Sequence, residues 1–417
     1  VLALGMNHVF QRMQHMDVEC SVRYTKWVAH FLNYYGFKFR WSDWFDVVTV
    51  EDDMPQSVFV KEALAAMVRL SYHDKIVEEI PAQLQAFMPS KPDPMFKYGS
   101  VTDDVKASLK IDELAPLIKQ KNSTAADVTT MLSKIELPKS LAELEEEDGM
   151  GPEDRLKELQ LDVYANCMLQ IGSKTISHMG IVFNRQLSAL QDICATPETK
   201  GQLVRVTADF WQNNSQMILI AFDKLLTQQI VDTSSIVEWV FSPRTVEMFS
   251  RHYIWDSLFN MLDFCEQEAA KARAQLTQEK EDLERLTTEN QNNDDATAAG
   301  FLSAQDATVE RCREVYFQKQ QLCKDTILMV FQHFSAVLNE RLAQREDEVW
   351  ITTASARFLQ IGRRYLKLLR VNNTFDNITK AIEDDLHTGT HTITPHHITS
   401  HTTPHHTALY PGYTSYH

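Results

Sequence analysis

The chain has 417 residues, 44% hydrophobic and 24% charged, and 57 Asp and Glu against 41 Lys and Arg give it a formal net charge of −16. A surface of that sign repels phosphate backbones, which argues against broad nonspecific nucleic-acid binding by this chain alone. No apolar run approaches the ~20 residues that a membrane-spanning helix needs. With only 12 glycines and 13 prolines and no sustained period-two alternation, the pattern points to an all-α chain of two or three domains.

Val1 already stands within a helical pattern, without an initiator Met, which is the expectation for a fragment. Val1–Met16 reads as one helix. Val18–Tyr35 is a second, with Val22, Trp27, Val28, Phe31, Leu32 and Tyr35 expected to face inward and Gly36 to end it. A dense aromatic connection, Phe37 to Trp44, leads through an acidic loop with Pro55 to amphipathic Phe59–Tyr72 and a shorter His73–Phe87. Pro89, Pro92 and Pro94 then interrupt helix formation. This stretch divides a first domain, 1–95, from a second, 96–386, which opens on Phe96-Lys97-Tyr98-Gly99.

Asp103–Gln120 and Thr124–Lys134 follow as short helices, with Thr124 a cap answered by Asp127 three residues later. Leu141–Asp154 is an acidic loop. Leu156–Cys194 is a long helical region with breaks expected near Gly172 or Gly180, and Pro197–Asn214 leads into the centre of the chain. That centre, Asn213–Leu262, reads as three stacked helices. Met217–Phe222 is apolar without a break, Asp232 or Ser235 caps the second helix, and Ser242-Pro243 starts the third. Trp211, Trp239 and Trp255 each fall on an apolar face, where packing is the simplest role.

Beyond Cys265 the pattern becomes charged, with a weak heptad at Leu276, Leu283 and Leu286, a polar turn over Gln291–Gly300, and a return through Val309, Cys312, Tyr316 and Cys323. Two antiparallel helices, a coiled-coil hairpin at about 266–323, fit this best. Leu322–Leu342 and Trp350–Val371 resume the packed pattern, and Phe375–Leu386 adds a final helix. The tail, 387–417, is His-, Thr- and Pro-rich with almost no aliphatic residue, so it is expected to be disordered. Its eight histidines would take divalent metal only adventitiously.

Enzyme signatures fail. Gly172-Ser173-Lys174-Thr175 lacks the upstream Gly and the Gly-Lys pair of a phosphate loop, and no HExxH, GxSxG or GxGxxG occurs. The six cysteines form no CxxC pair and suit buried, reduced thiols. The reading is therefore no enzyme, no catalytic residue, no cofactor and no metal site.

Several segments together resemble a known family: Trp211-Gln212-Asn213-Asn214-Ser215-Gln216-Met217, Asp223-Lys224-Leu225-Leu226, Gln229-Ile230-Val231-Asp232 and Glu238-Trp239-Val240-Phe241-Ser242. Phe39-Arg40-Trp41, Asp43-Trp44, Arg69-Leu70-Ser71-Tyr72-His73, Lys97-Tyr98-Gly99, Ser173 to His178, Phe249-Ser250-Arg251 and Trp255-Asp256 extend the likeness. They are similar to the large subunits of nuclear cap-binding complexes over about residues 1–345. The resemblance implies HEAT-like helical repeats of MIF4G type, with much of a second such domain in 1–95 and most of a third in 96–386. It implies a scaffold that clamps an RNP-type small subunit, which grips the methylguanosine cap itself. Capped RNA would be met only indirectly. Factors of splicing, export, surveillance decay and translation would be further partners, in the nucleus with shuttling to the cytoplasm and without a membrane. Pre-ordering a flexible binder removes an entropic cost from ligand capture.

This chain departs from the family pattern in a short hairpin, a reduced acidic loop at Glu143–Asp148, a match that fades from about Thr352, and the tail. By position, Arg40, Trp41, Trp44, Phe96 and Tyr98 are the candidate partner-facing residues, with a structural joint between domains as their other role. Another MIF4G-type scaffold of translation initiation or mRNA decay, one that binds a helicase, is the alternative.

Overall fold

The computed structural model describes residues 2–121, 123–137, 151–289, 296–344 and 348–366, and every regular element among them is helical. Two separate apolar cores organise them. The first gathers side chains from Met6 to Leu84, and the second from Tyr98 to Tyr365.

In the first unit Leu2–Gln11, Val18–Tyr34 and Pro55–Leu70 surround an aromatic centre. Asp17 caps the second helix by accepting from Glu19 N at 2.9 Å. Gly36 ends it at φ +61°, and Phe37, also left-handed at φ 62°, returns its N–H to Leu32 O at 2.7 Å. Burial of the Phe37 ring holds that conformation against its strain. The aromatic connection is itself a 3₁₀ run, Trp41–Thr49. One inward expectation needs correcting: Trp27 and Tyr35 are 45% and 54% exposed. The core-facing stripe runs through Val22, Thr25, Val28, Ala29 and Leu32, and Trp27 lies beside it, stacked on Tyr24 and Phe31.

In the second unit the long region breaks at Gly172 into Pro152–Gly172, Ile176–Arg185 and Leu187–Ile193. A Cβ at Gly172 would stand 3.0 Å from Met179 Cα, so the next helix can turn back only over a glycine. Thr124 and Asp127 form a reciprocal capping box. Asp232, rather than Ser235, caps Thr233–Val240, accepting from Ser235 N at 3.0 Å. The third central helix is interrupted: Pro243–Val246 makes a single turn and a new helix starts at His252. Trp211, Trp239 and Trp255 are all buried, and Trp255 Nε1 donates to Phe249 O at 2.7 Å.

His252–Glu289 and Ala296–Gln344 pack against each other as the expected hairpin, with helices of 38 and 49 residues that run beyond 266–323 at both ends. Its buried seam holds Cys265, Ala272, Leu276, Val309 and Cys323, and Gln305 Nε2 crosses to Glu279 O at 3.3 Å. The second arm is helical already from Ala296, so the polar turn is shorter than its composition suggested. Cys167, Cys194, Cys265 and Cys323 are buried free thiols, whereas Cys20 is exposed. The acidic loop over 141–150, the final helix over 375–386 and the tail 387–417 lie outside the described residues.

Candidate partner-binding surface and the joint between units

The five position-based candidates fall into two groups, Arg40, Trp41 and Trp44 in the first unit and Phe96 and Tyr98 at the start of the second. Arg40 is exposed and forms a two-pronged pair with Asp43, Nη2–Oδ2 and Nε–Oδ1 both at 2.7 Å. Trp41 and Trp44 are not on the surface. Trp44 is fully buried and packs on Phe10, Phe39 and Phe59 with ring centroids 5.6, 4.8 and 5.1 Å away, and Trp41 meets it edge-on at 5.5 Å. An aromatic-rich stretch in a loop suggested display, but the short 3₁₀ turn rolls its rings inward as the plug of the first core.

Phe96 is half-buried against the second core, and Tyr98 is buried, which corrects the expectation that both are exposed. Tyr98 Oη donates to Asp162 Oδ2, and Lys97 Nζ reaches the same oxygen at 2.9 Å. Burial, and then the Asp162 charge, push the Tyr98 phenol well above its usual range, so it stays a donor at any physiological pH. Gly99 N donates to Phe96 O at 3.1 Å, closing a tight turn, and Met95 N donates to Phe210 O at 2.8 Å. This motif fastens the connecting segment to the second unit.

The seam itself is polar, and residues not singled out by sequence build it. Glu62, on the Pro55–Leu70 helix, is buried and accepts from Arg251 Nε at 2.7 Å, with His252 Nδ1 at 3.7 Å. Burial opposes its ionisation, but coupling to His252 and the charges of Arg251 and Arg69 hold its carboxyl below the usual range. Burial pushes His252 down to about 4 against the pull of Glu62, so the imidazole is neutral at pH 7 and the arginines balance the carboxylate. Arg357 is buried nearby over the Trp255 ring at 5.7 Å. At the rim Lys26 meets Asp256 at 3.5 Å and Arg363 meets Asp17 at 2.9 Å. One signal was available: apart from Lys61, Glu62 is the one polar residue in the apolar Phe59–Val68 run, and a carboxylate buried there must find a cation. No group of three or more His, Cys, Asp or Glu able to hold a metal occurs among the described residues.

Comparison with known proteins agrees with this architecture. MIF4G-like family models match residues 1–82 and 96–368, so the likeness runs past Thr352, where the sequence alone suggested that it fades. Nuclear cap-binding protein subunit 1-B of Xenopus laevis is 26% identical over 93% of this chain and 49% of its own length. Nuclear cap-binding protein subunit 1 of Homo sapiens is 24% identical over the same shares, and that of Aedes aegypti is 28% identical over 84% of this chain and 44% of its own length. The chain thus spans about half the length of these relatives. Two MIF4G-like matches flanking one joint, on an all-helical framework, place the chain in the MIF4G-like family, in the portion it shares with nuclear cap-binding protein subunit 1.

Proposed function

We propose that the chain is a non-catalytic scaffold of a nuclear cap-binding complex, one that holds an RNP-type small subunit in the form that recognises the 5′ methylguanosine cap. The observation that supports this most is the likeness to nuclear cap-binding protein subunit 1 over 93% of the chain. Two rigid helical units joined by a buried ionic seam suit the role, since a rigid surface spends little free energy on ordering itself when it binds. Capped RNA is met through the small subunit, which agrees with the net charge of −16. Processing, export and surveillance factors are further partners in this reading, in the nucleus with passage to the cytoplasm.

Of the five candidate residues, Arg40 is the one free to touch a partner, while Trp41, Trp44, Phe96 and Tyr98 act by holding the surface in shape. The test is co-expression of the full-length protein with its RNP-type subunit. Co-purification and a raised affinity of that subunit for a methylated cap analogue are expected. Capture of a helicase in its place would favour a scaffold of translation initiation or decay, and absence of any complex would overturn the reading. Within the complex, Arg40→Gln weakens capture several-fold with little change in melting temperature, since an exposed ion pair contributes little to stability. Trp44→Ala instead lowers the melting temperature, because emptying a buried Trp site costs about 3–5 kcal/mol.

A further inference from the structure

The two units line a half-open pocket of about 230 Å³ at their seam. Val68 and Met248 form part of its apolar floor, and Arg69 from the first unit and Arg251 from the second line it together with Asn213 and Ser215. The charges around it do not balance. Arg251 gives Nε to Glu62, and its two Nη atoms have no hydrogen-bond acceptor among the described residues. Arg69 has no paired carboxylate among them, and its one recorded hydrogen bond is a long 3.4 Å contact from Nη1 to Ser215 Oγ. Arg69 and Arg251 are the charged side chains of the lining, which holds no carboxylate. Two guanidinium groups lining one concave pocket favour an anion there, even in a molecule that is strongly negative overall.

The shape of the donors narrows the ligand. Each guanidinium presents a planar fork, and these forks come from opposite walls. Two forks, with the Ser215 hydroxyl and the Asn213 amide lining the same pocket, offer more donors than a flat carboxylate accepts well. A tetrahedral oxyanion accepts from several directions. The volume holds one such group with little attached, and a nucleic-acid strand would meet the repulsion of the whole surface.

We propose that this cavity binds a single phosphate-type oxyanion, free or as the end of a small phosphomonoester, between Arg69 and Arg251, and that the bound anion ties the two units together. The proposal is independent of cap binding. It is tested by calorimetric titration and thermal melting with inorganic phosphate and with 5′-AMP, against chloride at matched ionic strength. One saturable site and a melting temperature that climbs with phosphate concentration are expected. Arg69→Gln should weaken binding at least tenfold and abolish the rise of melting temperature with phosphate, and Ser215→Ala should weaken binding less. Binding of phosphate alone supports a free anion, and binding of both supports a phosphomonoester. No saturable binding above chloride, or equal binding by Arg69→Gln, overturns the proposal. So does Arg69-dependent binding of single-stranded RNA without any response to phosphate.

Discussion

At the scale of single residues the decisive group is Glu62. Its carboxylate compensates guanidinium charge that would otherwise sit in low dielectric, so Glu62→Ala should cost about 3–5 kcal/mol, read from the urea midpoint. His252 sets a pH dependence. Its pKa in the folded state is about 4, below the usual imidazole value of 6.5, so the unfolded chain binds the extra proton between those limits. Stability therefore falls as pH drops from about 6.5 to 4, by up to roughly 3 kcal/mol from this group. His252→Gln should flatten that slope in melts across the range, and an unchanged slope would assign it to another group. Tyr98→Phe leaves Asp162 with Lys97 alone and should cost about 1–3 kcal/mol. The Phe96–Gly99 motif was visible in sequence. Its burial was not, because a four-residue turn carries no periodicity to show which way a ring points.

Among the elements, the helix ends were the most legible. Thr124 with Asp127 and Asp232 before Thr233 act as caps, because a short polar side chain beside free backbone N–H groups is a local arrangement. Burial would raise the Asp232 pKa, but hydrogen bonds from Ser235, Ser234 and Lys200 outweigh it and hold it at about 2. That stabilisation is present above about pH 4 and is lost as pH falls through 2. Asp232→Ala should cost about 1 kcal/mol at neutral pH by chemical denaturation. The hairpin is a second case. Its seam away from the body relies on small or isolated apolar residues, Ala272, Leu276 and Val309, between charged faces. Val309→Asp should therefore accelerate amide exchange within the hairpin alone and leave the body protected. Trp27 shows the limit of reading one helix by itself. The period-3.6 pattern includes it, but the neighbouring Pro55–Leu70 helix decides where the core stripe ends.

For the whole molecule, the joint between units is where packing and charge part company. Each unit buries its own apolar core, and what crosses between them is largely polar: Glu62 with Arg251, Lys26 with Asp256, Arg363 with Asp17, and Asn214 Nδ2 to Pro92 O at 3.4 Å. The exposed pairs are individually worth little and are screened by salt, so the buried Glu62 cluster carries most of the orientation. A Glu62→Ala protein that still folds should show a broader distribution of inter-unit distances by small-angle scattering or paired spin labels. High salt alone should leave the wild-type distribution nearly unchanged.

What the sequence determined by itself was whatever depends on near neighbours. The all-helical class, most helix ends and the hairpin follow from apolar spacing and capping residues, and the family resemblance carried by short motifs implied the MIF4G-like character. The tertiary structure decided everything that rests on residues far apart in the chain. It buried Trp41, Trp44 and Tyr98, left Trp27 exposed, and brought Glu62 to Arg251 across 189 positions. The physical reason is range. Helix propensity and capping act over three or four residues, whereas the pairing of a buried charge is settled only when two separately folded cores meet.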